Sequence, residues 1–515
     1  MKEMSNSKQM TVNMIAAVVS FVINTGINFI LTPILVRELG SDTYGFIGLA
    51  NNFVQYATIV TVALNSMSGR FISIEYNKGN IENASKYFSS VLIADMFLAA
   101  VMLFVSAVVV LNLDSLLQIP PGLESAVKLT FAITFITFIL SIVTAIFTTA
   151  AFVKNRLYLN SIRDIIGNAI KVIIILVLFS FFPAKLYFLA VASLAAGIFL
   201  LAANITVKRK ILPDVKMNPK LFDMSYVKTI LSSGIWNSIT NLSNALNTGL
   251  DLLICNLTLG PAPMGLLSIS VTVPHCISQL ITTLANIFTP RFTILYAKDL
   301  KEKLVEEAKY SQKIVSLIMS VPLAGFIAYG VDFYKLWQPT KTHDEVFLIW
   351  VLTVLACISY ISMCHTRTLY PLFTVCNKLK ANVLVSLVIG VVTVGSVLLL
   401  IHFTPLGVYA IAGVSSVLLS LKSMIFVPLY ASHILNVKKT VFYPTIIRGW
   451  ICFGILCGLF YAVSLFFHAK SWLSFLIICL ISGLIGYIIS VPLILSKSEV
   501  ARLKTKLVSK LKKAR

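Results

Sequence analysis

The chain has 515 residues, 58% of them hydrophobic and 12% charged, with a mean hydropathy of +0.90. A soluble core stops growing near about 250–300 residues, so this much apolar surface excludes a water-soluble globule and calls for lipid as the solvent. The formal net charge of +22 calls for no nucleic-acid partner, because the basic residues gather in loops between apolar runs.

In lipid each backbone N–H and C=O is paired within its own segment, and no alternating strand pattern runs through the sequence, so the apolar runs read as helices. The fold class expected is an all-α polytopic membrane protein with about fourteen transmembrane helices. In chain order the first six fall at 12–36, 44–70, 86–112, 124–152, 159–182 and 185–207. The first is too long for the core of a signal peptide and reads as a retained helix. A basic stretch at 208–228, with Pro213 and Pro219, forms a natural linker. Six more helices follow at 229–256, 263–290, 312–337, 345–372, 380–402 and 406–431, and the last two lie at 444–467 and 471–495. The domain division expected is therefore 1–207 (first lobe), 208–228 (linker), 229–431 (second lobe), 432–495 (two extra helices) and 496–515 (basic tail). In the tail, Val500, Leu503, Leu507 and Leu511 share one helical face among basic residues. Both a helix lying on an anionic leaflet and a plain basic tail fit that pattern.

Most of the 42 Lys and Arg fall on one side of this helix order. Lys154 and Arg156, the cluster Lys208–Lys228, the run Arg291–Lys313, and Lys378 and Lys380 all lie there, whereas Arg37, Lys185, Lys335, Lys341 and Lys470 lie on the other. The excess of positive charge puts both termini in the cytoplasm, and the localisation expected is the cell inner (cytoplasmic) membrane. The eight cysteines sit almost all in apolar stretches without a C-x-x-C pair, and read as small buried hydrophobes rather than metal ligands or disulfides.

The sequence repeats at a steady offset. Arg70-Phe71 matches Arg291-Phe292, Asn155-Arg156-Leu157 matches Asn377-Lys378-Leu379, Pro183 and Tyr187 match Pro405 and Tyr409, and Gly45 matches Gly265, each pair 220 to 222 residues apart. An offset held across four loops marks a duplication. Six helices per repeat give both halves the same orientation, with a path expected between them.

Polar side chains then recur at helical spacing on equivalent helices. Ser268, Thr272, His275, Gln279, Thr282 and Asn286 line one face of the eighth helix, and Asn51, Gln55, Thr58 and Asn65 one face of the second. Asn237, Asn241, Asn244, Thr248 and Asp251 do so on the seventh, and Asn24, Asn28 and Thr32 on the first. Such residues can be interhelical glue at about 0.6 kcal/mol each; four stripes at equivalent positions point instead to a hydrated cavity. Charges buried in apolar runs cost about 2.5–3.5 kcal/mol if they face lipid, so Asp95, Lys171 (one stripe with Asp164 and Asn168), Arg367 and Lys422 are expected to face a cavity or a partner. Snorkelling to the interface is the alternative for Arg367 and Lys422. Cations outnumber acids among them, which suits an anionic cargo. His275 is either a proton site or an ordinary hydrogen-bonding residue. No Walker A loop, H-E-x-x-H or G-x-S-x-G motif occurs, and the outer loops are too short for a soluble catalytic domain, so no enzyme, cofactor or metal site is expected.

With this layout the chain resembles the polysaccharide flippase (O-antigen, Wzx-like) branch of the multidrug/oligosaccharidyl-lipid/polysaccharide exporter superfamily. The residues that carry the resemblance are Asn28-Phe-Ile-Leu-Thr-Pro-Ile-Leu-Val-Arg-Glu-Leu-Gly40, Asp42-Thr-Tyr-Gly-Phe-Ile-Gly-Leu49 and Asn377-Lys-Leu-Lys-Ala-Asn382. The resemblance implies a two-lobed secondary transporter working by alternating access, with a polyprenyl-pyrophosphate-linked oligosaccharide as cargo and membrane lipid around it. It also implies polysaccharide polymerase and glycosyltransferases as functional partners. Arginines of helices 1 and 2 that line the cavity in relatives have no clear match here. The expected headgroup residues are Lys171, Arg367 and Lys422, the expected sugar contacts are Asn24, Asn28, Gln55, Asn65, Asn241, Asn244, His275 and Gln279, and the candidates for coupling to a proton or sodium are Asp251 and His275. The alternative is a cation-coupled multidrug antiporter of the same fold.

Overall fold

The computed structural model describes residues 6–496 and 499–500, and among them no strand occurs. The helix order begins with α1 (Asn6–Leu39), α2 (Ser41–Asn77), α3 (Ile81–Leu111), the short α4 (Leu113–Leu116), α5 (Glu124–Val153), α6 (Tyr158–Phe181) and α7 (Phe188–Ile211). After the linker come α8 (Met224–Asn244), a π turn over Ala245–Gly249 and α9 (Asp251–Leu259), then α10 (Pro261–Ser270), α11 (Thr272–Asn286) and α12 (Thr289–Ala297). The chain continues through α13 (Lys301–Trp337), α14 (His343–Thr366), a 3-10 turn at Arg367–Leu369, α15 (Tyr370–Val375), α16 (Leu379–Phe403) and α17 (Val408–Leu421). A second π turn, Lys422–Phe426, leads into α18 (Val427–Ile434), and α19 (Tyr443–Phe466) and α20 (Trp472–Ile494) close the order. Thirteen helical stretches among the described residues are long and apolar enough to cross a membrane. The remaining expected crossing, 229–256, is the segment interrupted by the first π turn. The tail face of Leu503, Leu507 and Leu511 lies outside the described residues.

The duplication reappears in the backbone. Gly40 and Gly260 both have positive φ (79° and 92°), as do Gly79 and Asp299 (80° and 54°) and Asn155 and Asn377 (52° and 54°). Each pair breaks the chain between two helices, where a left-handed residue ends the first one; Gly takes that conformation freely, and Asn or Asp tolerates it. The hydrogen bonds repeat as well: the Arg156 amide donates to the Ala151 carbonyl and the Lys378 amide to the Phe373 carbonyl, both at 2.7 Å.

Residues up to Ser268 form one compact unit and those from Ile269 a second. In the first, α2 packs along α3, α5 and α8, α5 packs along α7, and α1 along α6. Its core joins Leu64, Ile72, Phe88, Val91, Ile146 and Phe147 to Leu212 and Val215 of the linker and Ile230 of α8. The division drawn from the repeat assigned 229 onward to the second lobe, whereas packing groups α8 and α9 with the first unit. Gly234 makes this possible, because a Cβ there would lie 1.8 Å from the Ala63 carbonyl oxygen; the missing side chain lets α8 seat directly on α2.

The linker is fastened rather than loose. The Lys216 amide donates to Ser85 Oγ (3.0 Å), the Asn218 amide to Ser89 Oγ (3.2 Å) and the Asp223 amide to Ser90 Oγ (3.0 Å). Ser89 Oγ in turn donates to the Lys216 carbonyl at 3.2 Å. Three serines one turn apart or adjacent on α3 thus satisfy backbone groups that a loop would otherwise leave to water.

In the second unit, α13 packs against α14, α19 and α20, and α17 against α14 and α16. The last two helices are tied on by polar contacts as well as by packing. Tyr329 and Ser482 hydroxyls meet at 2.8 Å, and Tyr487 donates to the Ile318 carbonyl at 3.0 Å. Gly449 admits the buried His365 ring, and Gly486 admits Phe460 and Val321.

Candidate functional site

The first unit holds the stripes of the first, second, fifth and seventh predicted helices. Asn168 Nδ2 donates to Asn24 Oδ1 at 2.6 Å and to the Asp164 carbonyl at 2.9 Å, so α6 and α1 meet through these two asparagines. Lys171, one turn further along α6, is half-buried and has no ion pair among the described residues. Asn28 is exposed, and its carbonyl accepts from Thr32 Oγ1 at 2.8 Å.

On α2 the stripe divides into two uses. Gln55 is exposed, while Asn65 Nδ2 donates to the buried Asp95 carboxylate at 3.0 Å. Asn65 therefore supplies the partner expected for the embedded Asp95, and α2 is held to α3 through that pair. On α8, Asn237 Nδ2 donates to Ser66 Oγ at 2.9 Å and Ser238 Oγ to the Ile59 carbonyl at 2.7 Å, both across the seam with α2. Asn241 is half-buried and Asn244 exposed.

The π turn between α8 and α9 is the most unusual feature of this unit. It releases the Gly249 carbonyl, which accepts from Tyr56 Oη at 2.6 Å and from Asn52 Nδ2 at 2.9 Å. Single π turns inside helices are rare and concentrate at functional sites. Asp251 opens α9 directly beyond the turn and is half-buried. Neither Asn52 nor Tyr56 was singled out from the sequence; their i, i+4 spacing on α2 facing a glycine in an Asn-rich helix is the signal that could have found them.

The second unit contains the stripe of the eighth predicted helix and two of the three embedded cations. On α11, Val273, Ile277, Ile281 and Ala285 are buried, whereas His275, Gln279 and Asn286 on the polar face are exposed. Ser268, at the head of that stripe, is the last residue of the first unit and is buried. Arg367 and Lys422, 55 positions apart in sequence, come together. The Arg367 guanidinium carbon lies 4.6 Å from the centroid of the Tyr370 ring, and Lys422 Nζ lies 5.5 Å from the same centroid. Lys422 also donates to Ser386 Oγ. Both cations stand where helical geometry changes, Arg367 at the start of a 3-10 turn and Lys422 at the start of a π turn. Among the described residues no carboxylate pairs with either. The Tyr370 ring face offsets part of the cost of holding each cation there.

A family described as polysaccharide biosynthesis protein matches residues 10–295. The membrane protein EpsK of Bacillus subtilis (strain 168), described as uncharacterized, is 29% identical over 437 residues, which span 85% of this chain and 86% of that one. Among solved structures, the lipid II flippase MurJ in its inward closed conformation matches with a TM-score of 0.68 at 12% identity, over 93% of this chain and 98% of that one. An inward-facing multidrug resistance MATE family transporter of the MOP superfamily matches with a TM-score of 0.66 at 14% identity, over 81% of this chain and 96% of that one. The chain is thus a multi-pass membrane protein with the fold of MOP-superfamily transporters, and it belongs to the polysaccharide biosynthesis protein family.

Proposed function

We propose that the chain is a flippase that moves a polyprenyl-pyrophosphate-linked oligosaccharide across the cytoplasmic membrane by alternating access, both termini lying in the cytoplasm. The observation that carries this reading is the approach of both Arg367 and Lys422 to the Tyr370 ring, with no carboxylate paired to either among the described residues. A pyrophosphate is a compact polyanion, and a guanidinium beside an ammonium supplies the fork and the point charge that such a group takes. Lys171 provides a separate cationic contact in the first unit. The exposed amides and imidazole of Asn28, Gln55, Asn244, His275 and Gln279 suit sugar hydroxyls, to which they can both donate and accept; Asn24 and Asn241 stand on the same stripes. Asn65 also stands on these stripes and donates to Asp95. Asp251 and His275 are the groups proposed to couple transport to a proton or sodium. The protein performs transport rather than bond chemistry and works beside the polymerase and glycosyltransferases of a surface polysaccharide such as O-antigen.

Mass spectrometry of lipid that co-purifies with the protein in mild detergent tests this reading. Enrichment of a polyprenyl-pyrophosphate oligosaccharide, lost in the Arg367→Gln/Lys422→Gln variant, is the expected result. A second reading, a cation-coupled drug antiporter, draws on Asp251, a half-buried carboxylate beside a helix break. Drug efflux abolished by Asp251→Asn, with no glycolipid retained, would favour it over the flippase.

A further inference from the structure

A cavity of about 450 Å³ opens at the end of α7, where the chain turns into the basic linker, and Lys208, Arg209, Pro213, Lys216 and Asn218 are among its lining residues. We propose that this cavity binds a phosphate-bearing anion, presented by the headgroup of an anionic phospholipid. The site lies apart from the Arg367–Lys422 cluster, and its assignment does not rest on the flippase reading.

Three observations carry it. Lys208 is buried, yet its ammonium meets the Val215 carbonyl and, at 5.0 Å, the face of Phe88 rather than an acid. Among the described residues, no carboxylate pairs with Lys208, Arg209 or Lys216. The nearest acid in sequence, Asp214, is engaged by the Tyr76 hydroxyl at 3.4 Å, and that hydroxyl also receives Lys154. A buried cation without a counter-ion is costly, and two more cations around the same cavity add to the cost. A bound anion relieves all three at once.

The second observation is rigidity. Lys216 and Asn218 are fixed by their backbone bonds to Ser85 and Ser89, so the cavity wall is ordered before any ligand arrives and little entropy remains to be lost on binding. The third is position. The cavity sits at the end of a helix long and apolar enough to cross the membrane; a crossing helix would bring its ends near the phospholipid phosphates, where basic clusters select anionic lipids. Its volume falls in the usual range for small-molecule sites and accommodates a glycerophosphate group.

The test titrates the full-length protein in neutral detergent with dioctanoyl phosphatidylglycerol, dioctanoyl phosphatidylcholine and inorganic phosphate. Arg209 and Lys216 are exposed, so Arg209→Gln/Lys216→Gln removes two charges without disturbing the buried packing of Lys208. Lys298→Gln/Lys301→Gln, also at exposed positions, is the charge-matched control. Phosphatidylglycerol should bind more tightly than phosphatidylcholine, with Kd raised about tenfold or more in the Arg209/Lys216 variant, as expected for the loss of charge-assisted bonds, and unchanged in the control. Inorganic phosphate competing as well as the lipid, with both lost in the variant, would support the anion site and make its ligand a soluble phosphate compound. Equal phosphatidylglycerol affinity in the variant and the wild type, or an equal loss in the control, would overturn the proposal.

Discussion

Gly45 and Gly265 occupy equivalent positions in the two repeats and touch each other: a Cβ on Gly45 would lie 3.1 Å from the Gly265 Cα. The two sites nevertheless differ in tolerance. At Gly45 the nearest atom is the mobile end of Met264 at 2.8 Å, whereas a Cβ at Gly265 would lie 2.5 Å from the Ser41 carbonyl oxygen and 2.9 Å from the Asp42 amide nitrogen. Side-chain ends move aside and backbone does not, so overpacking costs more at Gly265. At Gly234 a Cβ would fall 1.8 Å from the Ala63 oxygen, the tightest of the three. Thermal unfolding in detergent should rank the losses Gly234→Ala, then Gly265→Ala at about 1–3 kcal/mol, then Gly45→Ala. Any other order would refute the packing argument.

Neutralising the cations over Tyr370 should impair glycolipid retention more than it impairs folding. Arg367→Gln and Lys422→Gln each remove a charge-assisted donor worth about 1.5–3 kcal/mol, equivalent to a roughly tenfold or greater loss of affinity. Arg367→Lys should recover only part of it, because an ammonium lacks the planar fork. Retention of the same lipid in all three variants, with unchanged unfolding midpoints, would remove this cluster from the cargo site.

The Gly249 carbonyl has two donors, and losing one should be mild. Tyr56→Phe and Asn52→Leu are each expected to cost about 0.6 kcal/mol, the average for polar contacts between membrane helices. Together they leave a buried acceptor unsatisfied, so the double variant should cost more than the sum. A double-mutant cycle on the unfolding midpoint measures this coupling. Simple additivity would mean that the released carbonyl is satisfied by another group.

Glu499, which follows α20, accepts from Lys313 Nζ at 2.8 and 2.9 Å and from the amide and hydroxyl of Ser496 at 2.8 and 2.7 Å. Burial pushes its carboxyl up, but these hydrogen bonds and the Lys313 charge outweigh burial and hold it below the usual range. A carboxyl depressed by folding stabilises the native state above the ordinary Glu value, about 4.3. That contribution is lost as pH falls through the depressed one. The pair is mostly shielded, with side chains 16% and 20% exposed, and should contribute about 1 kcal/mol. Glu499→Gln should lower the unfolding midpoint at pH 7 and narrow its gap from wild type below about pH 4. A gap independent of pH would refute the assignment.

Much of the helix order was legible because apolar length and breaker residues are local signals. Asn155 and Asn377 were recognised as matched loop residues from sequence, and they share a left-handed backbone. The polar face of α11 was equally readable, since His275 and Gln279 alternate with the buried Ile277 and Ile281. What sequence left open was which polar residues serve packing. Asn65 and Gln55 look alike on one stripe, and only the neighbouring Asp95 separates their uses. The meeting of Arg367 and Lys422 over Tyr370 depends on two helix irregularities that no periodicity announces. The grouping of α8 with α2 rests on Gly234, one residue among many small ones, whose meaning appears only when Ala63 is placed against it.

The matched turns at Gly40 and Gly260, Gly79 and Asp299, and Asn155 and Asn377 bear on how such a chain can diverge. Residue identity has drifted freely between the halves, to the point that glycine answers aspartate, while the distance between one turn and its counterpart has stayed within two residues. Adding one residue to a helix would rotate everything after it by about 100° and carry a polar face into the packing seam. Away from the tight glycine contacts substitution is therefore tolerated more readily than insertion, so length changes belong in the loops outside the helices.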